Sequence, residues 1–292
     1  MAIELESGGA RAVILPAYGG RLHQLFVPVA GQPEPLLHSP DDIEQYRERP
    51  TRGGSFPMAP WPNRVANGRF RWNGRDVELP TEGRPHAIHG RVKDKEWEVV
   101  ARTARVVELV ARFDDGWPWP GRAWQRFELT DTSLRMKFEV RAEREAFPAG
   151  CGWHPWFRRD VAGSPDAALR VPAGKRYVSE SDIPTGELVA PTGDFDLREL
   201  TPLGERRIDT CYTALSGPVT IRWERLELEM AIACPFPHVQ VFTPGYAFCV
   251  EPQSCAPDAF NLAVRGSQTD GMGIAAPGRP VSIETRWTWS ER

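Results

Sequence analysis

Glycine and proline cut this chain into short pieces. There are 26 glycines and 28 prolines, and they recur between short apolar segments along the whole sequence. Proline inside a helix removes a hydrogen bond and clashes with the preceding turn, at a cost of ~3 kcal/mol or more. Short apolar segments bounded by turn residues are what an antiparallel sheet protein requires. Helix signals are correspondingly few. The expectation is an all-β fold of two large stacked antiparallel sheets, in a single domain covering residues 1–292. No internal repeat, low-complexity tract or linker divides the chain.

The strands can be placed. Residues 12–15 and 22–27 read as strands and flank Gly19-Gly20. Asn73-Gly74 sits between 70–72 and 76–79, and an Asn-Gly pair between alternating residues is a strong hairpin signal. Further pairs are expected at 97–100 with 106–113, 124–129 with 134–141, and 219–223 with 226–233. The last strand is 281–289, where Val281, Ile283, Thr285 and Trp287 alternate. A run at 239–243 turns at Pro244-Gly245-Tyr246 into 247–250. Residues 40–63 and 173–200 are poorer in strand signal and read as long irregular stretches. The first is expected to hold a short helix over 41–49, capped by Ser39 or Asp41. Long loops in a compact β domain often carry its binding site.

Charge and cysteine content exclude several classes of function. The net charge is −3, with acids and bases mixed, and no basic block suits a nucleic-acid partner. No apolar run is long enough to span a bilayer, and the first residues lack the basic and apolar regions of a leader. A cytoplasmic location without membrane partners is the expectation. The five cysteines, Cys151, Cys211, Cys234, Cys249 and Cys255, are odd in number and lack paired spacing. They read as free thiols rather than a disulfide framework. Some of the 11 tryptophans are available to stack on an apolar ligand face, which sugars often present.

Five motifs sit at turns or strand ends. Glu251 ends an apolar strand and is held extended by Pro252; partial desolvation there raises a carboxyl pKa, as a general base near neutral pH requires. A strand-end glutamate facing water is the plainer alternative. His154 precedes Pro155 and stands among Trp153, Trp156 and Phe157, a setting that disfavours a charged ring, whether in a site or in a packed core. Arg64, in Pro62-Asn63-Arg64-Val65-Ala66-Asn67-Gly68, is a fixed cation suited to gripping oxygens or to a surface salt bridge. His89 precedes Gly90 in a crowded turn. Asp209 opens Asp209-Thr210-Cys211-Tyr212, and Gln240 lies on the strand before Glu251. Metal-ligand spacings, nucleotide-binding glycine patterns and a Gly-x-Ser-x-Gly elbow are absent.

In this order the motifs resemble the aldose 1-epimerase (galactose mutarotase) family. The residues that carry the resemblance are 62–70, Ile88-His89-Gly90, His154-Pro155-Trp156-Phe157, Thr185-Gly186, 209–212 and Val250-Glu251-Pro252. It implies a galactose mutarotase-like β-supersandwich, with His154 as general acid and Glu251 as general base. Arg64 and His89 would bond the substrate near the reacting centre, and Asp209, Asn63 and Gln240 would contact sugar hydroxyls. The chain departs from the commoner motif at Asn63 and Gly68, where the family more often has Gly and Arg, and at Trp156, which replaces a tyrosine. These changes point to a divergent branch and leave the preferred sugar open.

The implied reaction interconverts the α and β anomers of a free aldose. It needs no redox step and no covalent intermediate, so no cofactor or metal is expected. The expected partner is a monosaccharide and the expected assembly a monomer or homodimer. The roles call for a charged Glu251 and a protonated His154 at once. Three rivals remain: a glycoside hydrolase using Glu251 and Asp209, a non-catalytic sugar-binding or regulatory protein on the same fold, and a sugar-phosphate epimerase. The last would gather Arg or Lys around the phosphate. Arg64, Arg69, Arg71 and Arg75 are close in sequence, but strand alternation and the Asn73-Gly74 turn scatter them. Neutral aldoses are therefore expected to be preferred over their phosphates.

Overall fold

A computed structural model describes residues 1–113 and 116–292. Among these residues two large antiparallel sheets dominate, one of eleven strands and one of nine. In the larger sheet Arg21–Val29, Ser55–Met58, Gly152–Phe157, Phe248–Gln253, His238–Phe242 and Asp209–Leu215 lie side by side in that order. The smaller sheet is built around Gly121–Leu129, Ser133–Ala142, Val281–Glu291 and Leu226–Ala233. The expected hairpins are present. Asn73 and Gly74 both have positive φ, 47° and 78°, as a two-residue turn matched to strand twist requires.

The two sheets pack face to face. Trp153 of the larger sheet meets Phe138 of the smaller with ring centroids 5.4 Å apart, and Phe157 meets Trp287 at 5.2 Å. Side chains alternate across a strand. In Gly152–Phe157, therefore, Trp153 and Phe157 enter the main core while His154 and Trp156 face the other way. The same alternation sends Val239, Val241, Phe248 and Val250 inward. It leaves Gln240, Phe242, Cys249 and Glu251 on the outer face. That face is not open: a second apolar cluster of Phe56, Met58, Trp156, Ala247 and Cys249 lies on it, and long connections cover it.

Three expectations are corrected. Residues 173–200 are not irregular throughout: Ala173–Glu180 and Ile183–Val189 form the hairpin at one edge of the larger sheet. Only one of its faces is buried, and Gly174, Pro184 and Gly186 interrupt its alternation. The helix is a single turn, Gln45–Glu48, with no side-chain cap. Ser39 instead donates to the His23 carbonyl, and Asp42 Oδ1 accepts from the Glu44 amide. Glu251 does not end its strand, which runs from Phe248 through Pro252 to Gln253. Pro252 is opposite Val239 within the ladder.

One buried cation fixes the connection that enters the larger sheet at Ser55. Arg21 is fully buried, and its guanidinium lies 3.9 Å from the centre of the Tyr46 ring. It donates to the carbonyls of Tyr18 and Pro50 at 2.7 Å, Lys93 at 3.2 Å, Gly53 at 3.3 Å and Arg52 at 3.4 Å. Burial lowers its pKa to about 10, so it stays charged at neutral pH. Each buried carbonyl left without a donor costs ~1–3 kcal/mol. Arg21→Met is expected to lower stability by at least about 3 kcal/mol, read as a fall in the urea midpoint. A midpoint within error of wild type would show that these carbonyls do not depend on the guanidinium.

Candidate active site

Adjacent strands bring the expected polar residues onto one face. The pairings Gly152–Gln253 and Trp156–Cys249 fix the register between Gly152–Phe157 and Phe248–Gln253. By the same register His154 stands opposite Glu251. Gln240 pairs with Glu251 on the next strand, and Asp209 pairs with Phe242 on the strand beyond. Directly opposed residues share a face, so His154, Glu251, Gln240 and Asp209 form a diagonal row. Trp156 and Phe242 belong to the same face.

Connections supply the other residues. Arg64 pairs with Ile88 in a two-stranded ladder, Arg64–Val65 with Ala87–Ile88. The His89 amide donates to the Asn63 carbonyl at 2.8 Å. Asn63 and His89 both have positive φ, 51° and 60°, which turns the chain sharply at each. Gly90 follows because a Cβ there would lie 2.0 Å from the Ala59 carbonyl oxygen. The turn holds the His89 ring edge-on to His154, with centroids 5.0 Å apart. All seven residues singled out in the sequence (Asn63, Arg64, His89, His154, Asp209, Gln240 and Glu251) line one cavity of about 980 Å³.

The centre of the site is a buried acid–base contact. His154 Nε2 lies 3.2 Å from Glu251 Oε1, and the two residues are 5% and 1% exposed. Phe56 stacks on one side of the imidazole at 4.6 Å and Trp156 at 5.4 Å. Glu251 Oε2 accepts from Gln253 Nε2 at 3.0 Å. Desolvation drives both pKa values toward the neutral forms. It raises Glu251 well above the ordinary carboxyl value, with Asp209 adding to the effect. It lowers His154 to about 3, helped by the charges of Arg52 and Arg64. Both shifts favour the neutral forms, a carboxylic acid facing an uncharged imidazole. His89 is also neutral, since burial first and then His154, Lys93, Arg64 and Arg84 press its pKa well below the ordinary value.

Polar groups surround the pair. Arg64 Nη2 is 3.3 Å from Asp182 Oδ2 and 4.0 Å from Asp209 Oδ2. Gln240 Nε2 donates to Asp209 Oδ1. The buried Gln240 Oε1 and His89 Nδ1 have no hydrogen-bond partner among the described residues. Asp209 is raised by desolvation and lowered in part by Arg64 and Gln240. His154, Cys249 and Glu251 could together hold a metal ion, their ligand atoms lying within 4.8 Å of one another. An ion bound there would have to displace the protons that desolvation favours on the Cys249 thiol and the Glu251 carboxyl, since metal ligation releases them.

Several contributors were not singled out from the sequence. Asp182 is at the tip of the edge hairpin in the stretch read as irregular. Gln253 follows Glu251 by two residues, and strand alternation was the signal available for it. Arg49 and Arg52 sit in the long connection flagged as a candidate binding loop, and with Arg84 they line the cavity. Only Arg64, Arg69, Arg71 and Arg75 were weighed from the sequence, and these three were not. Arg69 and Arg71 pair instead with Glu78 and Asp76, and Arg75 lies over Trp119. If the shared proton rests on Glu251, ¹⁵N shifts of His154 should report a neutral ring from neutral pH to well below 6.5, the ordinary imidazole value. An imidazolium signature at pH 6 would refute that placement.

Comparison with known proteins bears on this arrangement. The model of the aldose 1-epimerase family matches residues 1–288. The uncharacterized protein YphB of Escherichia coli K12 is 29% identical over 249 residues, covering 80% of this chain and 83% of that protein. Galactose mutarotase of Bos taurus is 28% identical over 177 residues, 56% of this chain and only 51% of that enzyme. The crystal structure of a putative aldose 1-epimerase from E. coli K12 superposes with a TM-score of 0.85 at 23% identity, covering 100% of this chain and 99% of the other. The fold is therefore galactose mutarotase-like. With a buried acid–base pair on the outer face of that fold and a family match over nearly every residue, the chain belongs to the aldose 1-epimerase family.

Proposed function

We propose that the protein is a cofactor-independent mutarotase that interconverts the α and β anomers of a free aldose. His154 is the general acid and Glu251 the general base. The observation that carries this reading is the 3.2 Å contact of His154 Nε2 with Glu251 Oε1 inside the cavity. Anomerisation needs one group to take the O1 proton while another gives a proton to the ring oxygen. A pair that holds one proton meets that requirement without net uptake or release.

The free site must first move its proton. Sugar hydroxyls that donate to Glu251, together with the Arg64 charge, favour the carboxylate, and the proton passes to His154. Glu251 then removes the O1 proton as His154 protonates the ring oxygen. The bond from C1 to the ring oxygen breaks and the C1 carbonyl forms. After rotation about C1–C2 the same two transfers run backward on the other face, and the enzyme returns to its starting state. Arg64 and His89 hold oxygens near C1. Asn63, Asp209 and Gln240 bond the remaining hydroxyls. Asp209 is engaged by Gln240 and Arg64, which disfavours a hydrolase pairing it with Glu251.

Polarimetry of a freshly dissolved anomer tests the reaction. Wild type should speed the decay of optical rotation. Glu251→Gln and His154→Asn should each lower kcat at least ~10²-fold, the lower end of general acid–base contributions. The double variant should lose less than the two effects combined, because one transfer needs the other. Near-normal rates in either folded single variant, or no acceleration by wild type, would refute the assignment.

The pH profile follows from the shared proton. The working form carries one proton on the pair. Below the point where His154 takes a second proton, about 3 in the free site, there is no base. Above the raised pKa of Glu251 there is no acid. A bell is expected in kcat/KM, which reports the free enzyme, and its two limits belong to the pair. The acid limb should fall well below 6.5, the ordinary imidazole value. An alkaline limb that tracks an ordinary imidazole would restore the resting ion pair instead.

A further inference from the structure

The cavity walls carry more positive charge than the reaction uses. Arg49, Arg52, Arg64 and Arg84 all line it, against Glu48, Asp209 and Glu251. Glu251 is held neutral by burial, and Arg64 is occupied by Asp182 and Asp209. Arg49, Arg52 and Arg84 have no carboxylate partner among the described residues. Elsewhere on the surface arginines are commonly paired, as in Arg135 with Glu284 and Arg159 with Asp166. A surplus of cations inside a cleft attracts an anion.

Arg49 and Arg52 belong to one turn, closed by the Arg52 amide donating to the Arg49 carbonyl at 3.0 Å. The turn is fixed from beneath by the Arg21 contacts to Pro50, Arg52 and Gly53. Arg52 also donates to the Tyr246 hydroxyl, and its guanidinium lies 5.4 Å from the centre of the Trp156 ring. Trp156 in turn stacks on His154. The guanidinium is thus one indole removed from the proposed general acid. A sugar with C1 at His154 and Glu251 would direct its far end toward this turn. The arginine fork suits an oxyanion, which it can bond through two parallel donors.

We propose that Arg49 and Arg52 form an oxyanion subsite, so that the substrate is an aldose carrying a carboxylate or phosphate on the carbon remote from C1. This rests on the mutarotase reading for its orientation, and it replaces the expectation of a neutral sugar. Arg84, which also lines the cavity and is among the charges acting on His89, adds to the attracting field without belonging to the subsite.

Binding and turnover separate the two claims. Titration calorimetry with glucose, glucose 6-phosphate and glucuronate reads the subsite whether or not the protein is catalytic. One of the charged sugars should bind at least about tenfold tighter than glucose, the scale of one charge-assisted hydrogen bond. The advantage should shrink as salt screens an exposed charge. Arg49→Gln with Arg52→Gln should bring the charged-to-neutral ratio of Kd close to one. Arg71→Gln, which removes one arginine charge outside the cavity, should leave the ratio unchanged. Phosphate over carboxylate would identify the dianion as the preferred group, and the reverse order the carboxylate. Equal binding of all three sugars overturns the subsite, even if mutarotation is observed. Tight charged-sugar binding without acceleration of any anomer overturns the mutarotase reading and leaves the subsite standing.

Discussion

A carboxyl and an imidazole 3.2 Å apart, both removed from water and both driven toward their neutral forms, are the contact around which the rest of the site is arranged. Water would return each group to its ordinary pKa and separate their roles. Desolvation makes the charged form of each group expensive. Phe56 and Trp156 flank the ring with apolar surface, and Gln253 engages the second carboxyl oxygen. Polar side chains meet the cavity at Asn63, Arg64, His89, Gln240 and Asp209, which on the proposed reading bond the hydroxyls of a ligand, and again at Arg49, Arg52 and Arg84.

Strand alternation is what makes this cheap to build. One face of the central strands packs against the smaller sheet, as Trp153 and Phe157 show. The other face must then carry every second residue, and it becomes a second desolvated layer once the connections close over it. Those strands are buried on both sides, so their sequences read as near-continuous apolar runs. Glu251 and His154 stand out in such runs as polar residues, and this is why they were legible. So were the hairpins with strong turns, such as the one at Asn73-Gly74. The edge hairpin that ends in Asp182 was not legible, because a strand with one solvated face and interrupting Gly and Pro residues looks like a loop. Nor was the resting place of the proton, since local sequence shows apolar neighbours but not how completely the connections exclude water.

The connections are themselves held by specific contacts rather than by length. Arg21 ties the carbonyls of Tyr18, Lys93 and the 50–53 turn to one guanidinium, far in sequence but adjacent in the fold. Gly90 allows the His89 turn to pass against the Ala59 carbonyl where any side chain would collide. Neither residue is in the cavity, yet one positions the Arg49–Arg52 turn and the other positions a ring beside His154. Sequence alone gave Arg21 no special place among many arginines. Its importance comes from a burial that only the assembled sheet provides.

The arginines of the cavity also act on the shared proton. Arg52 and Arg64 are among the causes that lower His154, and Arg64 and Arg84 among those that lower His89. A cation near an imidazole opposes its protonation, so the empty site is biased away from the form that donates to the ring oxygen. An oxyanion between Arg49 and Arg52 would cancel part of that bias. The protonated imidazole would become easier to form at the moment the sugar is bound. Interactions stronger in the reacting state than in the resting one are those that raise a rate. On the proposed reading, then, the charge at the far end of the substrate does more than secure it. It shifts the proton from Glu251 toward His154, and binding at one end of the cavity prepares the acid at the other.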